Sequence, residues 1–407
     1  MLLTVSKRLE FSASRRLFVP GWSEAENLAA FGSETRARYG TGRNYVAYFI
    51  FSGSVDPSTG MLMNISEIKR RIGEVLHKGF DHKFLNEDNA AFSDCPPTVE
   101  NVAQQLYRKA LPLFADSEAE LVACHLEETP DRSATFYASG AAESNYWFGF
   151  SAARQTMSPH LTSRENDDLF GAAASPYGHG HHYRARLTLR NEGHDAPAAL
   201  VANDRLAACL KNLEAELDHK NLNHEVPALS GLPITTESLA RYLYLRAREF
   251  IPVDRVRLHE RDDFFAEHWG NGNTFAGMRM AFSAAHRLNS SKLGVERNRD
   301  LYGKCNNPKG HGHRYMVEAT IAGKYDERSG TACNFVGLQR SMAAALEPWQ
   351  DKHLDLEAAE FRDRPSTGEN IVDALWPKMN EEMKGELSRL RLWETANNRF
   401  ALRRTNS

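Results

Sequence analysis

The stretch "LYGKCNNPKGHGHRYMVEA" (residues 301–319) contains the element that reveals how this chain is built. Its central "GHGHRY" begins at Gly310, and altered copies, "GTGRNY" and "GHGHHY", begin at Gly40 and Gly178, so the spacings are 138 and 132 residues. Self-similarity at a fixed long period indicates tandem structural repeats. The stretch must therefore be interpreted together with its two counterparts.

Further features recur in the same order and at nearly the same spacing. "FSAS" at 11–14 is matched by "FSAA" at 150–153 and 282–285, and "DHKFLN" at 81–86 by "DHKNLN" at 218–223. Thr-x-Glu triplets begin at 98, 235 and 367, and a glutamate follows a short alternating run at 128, 260 and 394. Five features in one order predict three repeats, which span residues 1–139, 140–271 and 272–407.

Each repeat has the same predicted order of elements. An alternating segment ends in "FSA", and a second strand, such as "NYVAYFIFSG", begins at the Gly-x-Gly-x element. Two segments with helical spacing follow, for example "ISEIKRRIGEVLHKG" and "PTVENVAQQLYRKAL", and two strands close the unit. The order ββααββ predicts an α+β layer of four antiparallel strands with two helices on one face. Four strands leave two open edges, which three units remove if they close on one another.

Composition excludes several classes of function. The chain has 407 residues, 42% of them hydrophobic and 25% charged, with a net charge of −3. This balance gives no reason to expect a nucleic-acid or membrane partner, and no apolar run approaches the ~20 residues of a membrane span. The start, "MLLTVSKRLE", lacks the features of a signal peptide. Five scattered cysteines suit a reducing compartment, so we expect a cytoplasmic protein.

The two histidines of the opening stretch predict a metal site. Residues i and i+2 of a strand point to the same face, so His311 and His313 project together, and His286 ends the neighbouring predicted strand. Three neutral imidazoles with an open fourth position are the usual ligand set of a catalytic zinc. An isolated His-x-His is as often a pair of solvated or core side chains, but the third histidine favours zinc.

The other two repeats lack this complete set of histidines. The matching residues are Arg15, Thr41 and Arg43 in the first repeat and Arg154, His179 and His181 in the second. Arginine is always protonated and cannot serve as a ligand. We therefore expect one zinc per chain, in the third repeat. His179 and His181 are predicted to be structural or to contact substrate.

Four motifs of the chain resemble those of a known enzyme family. "FSAAHRL", "LYGKCNNPKGHGHRY", "DHKNLN" and "WETANN" are similar to motifs of 6-pyruvoyl-tetrahydropterin synthase and its relative 6-carboxy-tetrahydropterin synthase. The resemblance covers all three repeats. It implies the tunnelling fold, in which three ββααββ units form a twelve-stranded antiparallel barrel with helices outside, and two barrels stack. One chain would then form a pseudo-trimeric barrel, and a homodimer would match the family's hexamer.

The resemblance also implies roles for individual residues of the third repeat. His286, His311 and His313 match the zinc ligands, Cys305 the catalytic thiol and Glu394 the pterin anchor. The spacing C-x5-HGH resembles the 6-pyruvoyl enzymes, whereas C-x3-HGH is expected of the 6-carboxy enzymes.

The Thr-x-Glu triplets and the other two glutamates allow more than one interpretation. Thr367 is a candidate substrate-binding residue, but Thr98, Thr235 and Thr367 are also suited to be helix N-caps, which we favour for all three. Glu128 and Glu260 are expected to be relics, or to bind something in sites without zinc.

In the family an Asp–His pair from a neighbouring subunit completes the site. Alignment of "WQDKHLDLE" with "LDHKNLNHE" assigns the matching pairs. They are Asp81 and His82 in the first repeat, Asp218 and His219 in the second, and Gln350 and Asp351 in the third. The third repeat thus has metal ligands and thiol but no Asp–His pair, and the first two repeats are degenerate copies.

The thiol has the opposite distribution to the Asp–His pairs, because it is present only in the third repeat. Its position is occupied by Ala173 in the second repeat and falls near Ala37 in the first. These complementary losses predict one composite site between repeats, in which Cys305 works with either His82 or His219. We favour the second repeat as the neighbour, because its "LDHKNLN" lies closer to the family pattern.

Together these parts predict a zinc-dependent lyase that acts on a small-molecule pterin. Zinc would act as a Lewis acid on the substrate's hydroxyls, and a Cys305 thiolate favoured by the nearby dication and by Lys304 would be a usable base. An Asp–His pair supplies a second proton carrier, and Glu394 suits the two-donor edge of a pterin. The resulting reaction is β-elimination of triphosphate from 7,8-dihydroneopterin triphosphate, which gives 6-pyruvoyl-tetrahydropterin.

Two other functions remain open at this point. One is a related enzyme that cleaves the side chain to give 6-carboxy-tetrahydropterin, and the other is a non-catalytic pterin-binding protein that retains zinc. Arg287, Lys304 and Lys309 are candidates to meet the triphosphate, or else solvated charges.

Overall fold

Twelve long strands form the framework of the protein in a computed structural model, which describes residues 1–193, 200–382 and 387–405. Each strand pairs antiparallel with the next along the chain. The strands are β1 (Leu2–Arg15), β2 (Thr41–Ser52), β3 (Glu120–Thr129), β4 (Arg132–Tyr137), β5 (Ala142–Arg154), β6 (His179–Asn191), β7 (Val253–Arg261), β8 (Phe264–Trp269), β9 (Thr274–His286), β10 (His311–Gly323), β11 (Leu387–Thr395) and β12 (Asn398–Arg403).

The sheet closes on itself, because β12 pairs antiparallel with β1 over Leu2–Lys7. The repeats join at three strand pairs, β4–β5, β8–β9 and β12–β1. Closure thus pairs both edges of each of these twelve strands with a neighbouring strand. The predicted fold class, a twelve-stranded antiparallel barrel made of three ββααββ units, is confirmed.

Two longer helices per repeat pack on the outer face of the barrel. They are α2 (Ile65–Gly79) and α3 (Val99–Ala110), α5 (Asn203–Leu217) and α6 (Thr236–Ala247), and α8 (Phe335–Leu346) and α9 (Gly368–Glu382). The hydroxyls of Thr98, Thr235 and Thr367 accept hydrogen bonds from backbone N–H groups three residues ahead. The predicted N-cap role of these threonines is therefore confirmed.

The loop between the first two strands of each repeat holds a short helix that the sequence analysis missed. These helices are α1 (Glu24–Phe31), α4 (Ser163–Phe170) and α7 (Val295–Tyr302). Ser23 with Glu26, and Thr162 with Glu165, form capping boxes at the first two. Each helix ends at a glycine with φ between 53° and 65°, a conformation that favours glycine. The capping-box residues were the sequence signal that could have predicted the first two of these helices.

A repeated aromatic pair explains why two of the sequence motifs recur together. The phenylalanine of each "FSA" stacks on the tyrosine that follows the Gly-x-Gly-x element of the next strand. The ring centroids are 4.8 Å apart for Phe11 and Tyr45, 5.0 Å for Phe150 and Tyr183, and 4.9 Å for Phe282 and Tyr315. These buried pairs fix the register of the two strands that carry the site.

The inner face of the barrel is polar. Glu143, Glu267 and Glu318 are buried there, and each pairs with an arginine of a neighbouring strand. A buried carboxylate needs such partners. In the described ranges, no helix combines the length and apolar character that crossing a membrane requires.

Candidate active site

Three histidines of the third repeat meet where β9 ends and β10 begins. The strand register sets His286 directly opposite His311, and His313 follows two residues later on the same face. The ring centroids lie 4.5 Å apart for His286 and His311, 5.2 Å for His286 and His313, and 4.9 Å for His311 and His313. One ring nitrogen of each lies within 4.8 Å of those of the other two, which a single metal ion can bridge.

The environment of the histidines suits them to be neutral ligands. Ring nitrogen Nδ1 of the fully buried His286 lies 3.0 Å from the carbonyl oxygen of Ser366. Because a carbonyl only accepts, Nδ1 donates this bond, which leaves Nε2 to face the other two histidines. Burial first, then the neighbouring histidines, lowers the pKa of His311 to about 4. Burial also lowers the pKa of His313. This donor set fits a divalent metal.

Glu394 lies beside the histidines, near the end of β11. Its Oε1 is 3.7 Å from Nε2 of His286 and 3.8 Å from Nε2 of His313. Its Oε2 accepts a hydrogen bond of 3.2 Å from Asn398, which in turn accepts one of 2.9 Å from Lys7 of the first repeat. The carboxylate is thus positioned at the junction of the third and first repeats.

Cys305 lies in a single-turn helix that follows α7. Its carbonyl oxygen accepts a hydrogen bond of 3.0 Å from the N–H of Leu288, so the turn is fixed next to the end of β9. The side chain is half-buried. Burial, and after it the charge of Glu394, raises the pKa of the thiol, and Lys304 offsets only part of this effect. Lys304 acts in the expected direction, toward the thiolate, but burial and the charge of Glu394 outweigh it. The expectation that a nearby dication also favours the thiolate stays a prediction.

The structural equivalents of Cys305 follow from the glycines that precede it. Gly32, Gly171 and Gly303 share a positive φ and start the same turn. Two residues later lie Glu34, Ala173 and Cys305. The assignment of Ala173 is confirmed, since its carbonyl accepts from the N–H of Thr156 as that of Cys305 does from Leu288. The placement near Ala37 was wrong, because Glu34 takes the thiol position in the first repeat.

The site of the third repeat abuts a segment of the first. The hydroxyl of Tyr302 donates to the carbonyl of Thr59 over 2.6 Å, and that of Thr367 donates to the carbonyl of Gly60 over 2.5 Å. The N–H of Leu62 donates to Glu369 over 3.1 Å. The first repeat is therefore the neighbour that covers this site. The hydroxyl of Thr367 donates to the carbonyl of Gly60 and accepts from the N–H of Asn370. The role of Thr367 in substrate binding stays a prediction.

Glu369 was not singled out from the sequence. Its carboxyl group is buried, and burial raises its pKa to about 7, to which the charge of Glu394 adds. The carboxyl groups of Glu369 and Glu394 thus both lie where the third repeat meets the first. In the described contacts, no cation pairs with Glu369. Glu369 is the last residue of the Thr-x-Glu triplet that starts at Thr367. The recurrence of this triplet was the sequence signal that could have identified Glu369 as a site residue.

The Asp–His pairs occupy one repeated turn. His82, His219 and Asp351 have positive φ values of 56°, 57° and 60°. The N–H groups of His82, His219 and Asp351 donate to carbonyls of Ser12, Ser151 and Ser283 respectively. The alignment that gives the third repeat Gln350 and Asp351 in place of Asp–His is confirmed. Nδ1 of His82 is 3.0 Å from Asp81, Nδ1 of His219 is 2.5 Å from Asp218, and both imidazoles are 83% exposed.

The order of strands decides which Asp–His pair neighbours the three histidines. Strand β12 pairs with β1 only up to Lys7, and beyond this point Lys83–Phe84 pairs with the same edge of β1. His82 therefore lies on the side where the third repeat joins the first. In the same way, Lys220–Asn221 pairs with the edge of β5 beyond the point where β4 ends. His219 therefore faces the site of the first repeat. The preference for the second repeat was wrong, because the direction of the ring, and not likeness of motif, selects the neighbour.

The matching site of the first repeat is filled by ion pairs. Arg15 is fully buried and pairs with Glu128 and with Glu34, which also pairs with Arg43. The two arginines hold both carboxylates in place. In the part of the chain that the structure describes, no three metal-binding side chains converge in this repeat. Glu128 is thus a structural partner of arginine.

Arg287, Lys304 and Lys309 lie around the Cys305 turn. Nε of Arg287 donates to the carbonyl of Asn306 over 3.1 Å, whereas the two lysines are exposed. Their contact with a triphosphate stays a prediction.

Comparisons with known proteins agree with the repeat structure. The family model "6-pyruvoyl tetrahydropterin synthase" matches three times, at residues 4–139, 145–271 and 277–405. The human 6-pyruvoyl tetrahydrobiopterin synthase is 40% identical over 122 residues, which are 30% of this chain and 84% of that protein. The Drosophila melanogaster protein of the same name is 36% identical over 132 residues, which are 32% of this chain and 79% of that protein.

A solved structure also matches one part of the chain. The Caenorhabditis elegans 6-pyruvoyl tetrahydropterin synthase is 31% identical, with a TM-score of 0.32, and the match covers 33% of this chain and 96% of that one.

Proposed function

We propose that this chain, which belongs to the 6-pyruvoyl tetrahydropterin synthase family, is a zinc-dependent lyase with one composite site. The proposed reaction converts 7,8-dihydroneopterin triphosphate into 6-pyruvoyl-tetrahydropterin and triphosphate. The observation that carries this proposal is the meeting of three histidines and a thiol in the third repeat with the Asp–His side of the first. The described residues offer no second copy of this combination.

Three histidines of the third repeat would hold the metal, namely His286, His311 and His313. When bound there, zinc supplies Lewis acidity to the hydroxyls of the substrate's side chain. Nδ1 of His286 is fixed by the carbonyl of Ser366, which orients Nε2 toward the other two rings.

The proton transfers fall to Cys305 and His82. The reaction needs no external oxidant, because the ring gains the two hydrogens that the side chain loses as its first hydroxyl becomes a ketone. Elimination of triphosphate produces the second ketone. Sγ of Cys305 takes a proton from a side-chain carbon, and the imidazole of His82, oriented by Asp81, returns one. The raised pKa of the thiol means that the base form is the minority species until a cation is bound nearby.

The two carboxyl groups of the boundary suit recognition of the pterin ring. A pterin presents a ring N–H beside an amine, and a carboxylate accepts such an edge with both oxygens. Glu394 and Glu369 both lie where the third repeat meets the first. We also propose that two barrels stack as a homodimer, as in the family.

Product analysis tests the proposed reaction. The chain is incubated with 7,8-dihydroneopterin triphosphate, and products are identified by mass. The proposal predicts one triphosphate released for each 6-pyruvoyl-tetrahydropterin formed. A pterin shortened by two carbons would instead establish side-chain cleavage, and unchanged substrate would establish a binding protein. The C-x5-HGH spacing of Cys305 favours the first outcome.

We predict one tightly bound zinc per chain. The complete histidine set exists once in the described residues, and arginine occupies a ligand position in the other two repeats. Elemental analysis after exhaustive dialysis should give one zinc in the wild type and none in His311→Ala. His179→Ala, in the second repeat, is the matched control and should keep it. Two or three equally tight zincs, or retention in His311→Ala, would contradict the assignment.

A further inference from the structure

The second repeat contains a different group of potential metal ligands. His179 and His181 lie on one face of β6, with ring centroids 4.9 Å apart. Glu260, near the end of β7, approaches them, and its Oε1 is 3.1 Å from Nε2 of His181. One nitrogen of each histidine and one oxygen of Glu260 all lie within 4.8 Å of one another. The sequence analysis had assigned no metal to this repeat.

Arg154 explains how a carboxylate comes to stand in the place of a third histidine. It occupies the position of His286, is buried, and pairs with Oε2 of Glu260. The hydroxyl of Thr236 donates to the same oxygen. These two donors hold Oε2 and leave Oε1 facing the histidines. In the third repeat the corresponding Oε1 of Glu394 stays 3.8 Å from Nε2 of His313.

We propose that His179, His181 and Glu260 form a second divalent-metal site, weaker than that of the third repeat. Two histidines and one glutamate are an established ligand set for zinc. Nε2 of His179 is buried without a hydrogen-bond partner, and Nε2 of His181 has Oε1 of Glu260 as its neighbour. A metal ion bound between them would give the nitrogen of His179 a partner. Arg154 acts as the outer partner that orients the carboxylate ligand.

The residues around this second site set its affinity and limit its chemistry. The guanidinium of Arg154 lies close to the ligand carboxylate and repels a dication, which lowers affinity relative to the three neutral imidazoles of the third repeat. Ala173 replaces the thiol, and the adjoining third repeat has Gln350 and Asp351 instead of Asp–His. A metal bound here is therefore structural, or binds ligand without turnover.

Metal titration of single variants tests this inference independently of activity. Dialysed protein is titrated with Zn²⁺ against a chromophoric chelator. The wild type should bind one tight and one weaker equivalent, and His181→Ala only the tight one. His311→Ala should keep only the weaker one. Glu260→Gln should weaken the second equivalent about tenfold or more, because a charged ligand is lost.

His182→Ala is the matched control, since His182 is the next residue of β6, faces the other way and contacts Ser151. His182→Ala should still bind both the tight and the weaker equivalent of Zn²⁺. The tight equivalent reports that each second-repeat variant is folded. A single equivalent in the wild type, or a second one that survives in both His181→Ala and Glu260→Gln, would overturn the proposal.

Discussion

Replacing Cys305 with alanine should lower kcat by ~10²–10⁴-fold, the usual cost of losing a proton-transfer group. The thiol lies next to the metal-binding strand ends, near enough to Glu394 for that charge to raise its pKa. The variant should keep its tight zinc, because the three histidines form a ligand set without the thiol. Turnover is measured with 7,8-dihydroneopterin triphosphate, zinc by elemental analysis, and ligand binding with a dihydropterin that lacks the triphosphate.

Cys95→Ala is the matched control for this experiment. Cys95 is also a half-buried free thiol, but it lies in the first repeat, which has no counterpart of the three-histidine group in the described residues. Its loss should leave turnover unchanged. If Cys305→Ala lost zinc, the thiol would be a ligand and not a base. If that variant turned over normally, another group would have to be the base.

His82→Asn should also lower kcat by ~10²–10⁴-fold, whereas His219→Asn should leave it nearly unchanged. The two histidines are matched in backbone angle, exposure and pairing with an aspartate. Asparagine tolerates a positive φ, so neither substitution strains the turn. They differ in position, since His82 lies where the third repeat joins the first. Steady-state kinetics of both variants, with zinc measured in each, separates the two.

The opposite pattern of kinetics would restore the second repeat as the neighbour of Cys305. Equal and small effects in both variants would show that no Asp–His pair takes part in the reaction.

The sequence was sufficient to predict the architecture because the repeats preserve the contacts that build it. The recurring "FSA" and Gly-x-Gly-x motifs are linked by a stacked Phe–Tyr pair, so their spacing reports a real structural unit. Alternation along a strand placed His311 and His313 on one face. Comparison of the copies then removed the first repeat as a metal site, and ion pairs fill that position in the structure.

Other features of the site depend on relations that a single sequence does not contain. The neighbour of the third repeat follows from the direction in which the ring closes, which motif likeness cannot report. The pKa of Cys305 depends on burial and on the charge of Glu394, which is distant in sequence. Glu260 becomes a candidate ligand only because Arg154 holds it toward His181. These are long-range contacts, whereas the predictions that held were local or repeated.

The central claim is that one chain supplies both halves of a single site. Co-expression of Cys305→Ala and His82→Asn chains with different tags, followed by sequential purification, isolates any mixed dimer. Each chain then lacks one half, and the account predicts that the mixed protein is as inactive as either variant alone, because thiol and imidazole must belong to the same barrel. Recovery of turnover in the mixed protein would contradict it, since that would require a site shared between two chains.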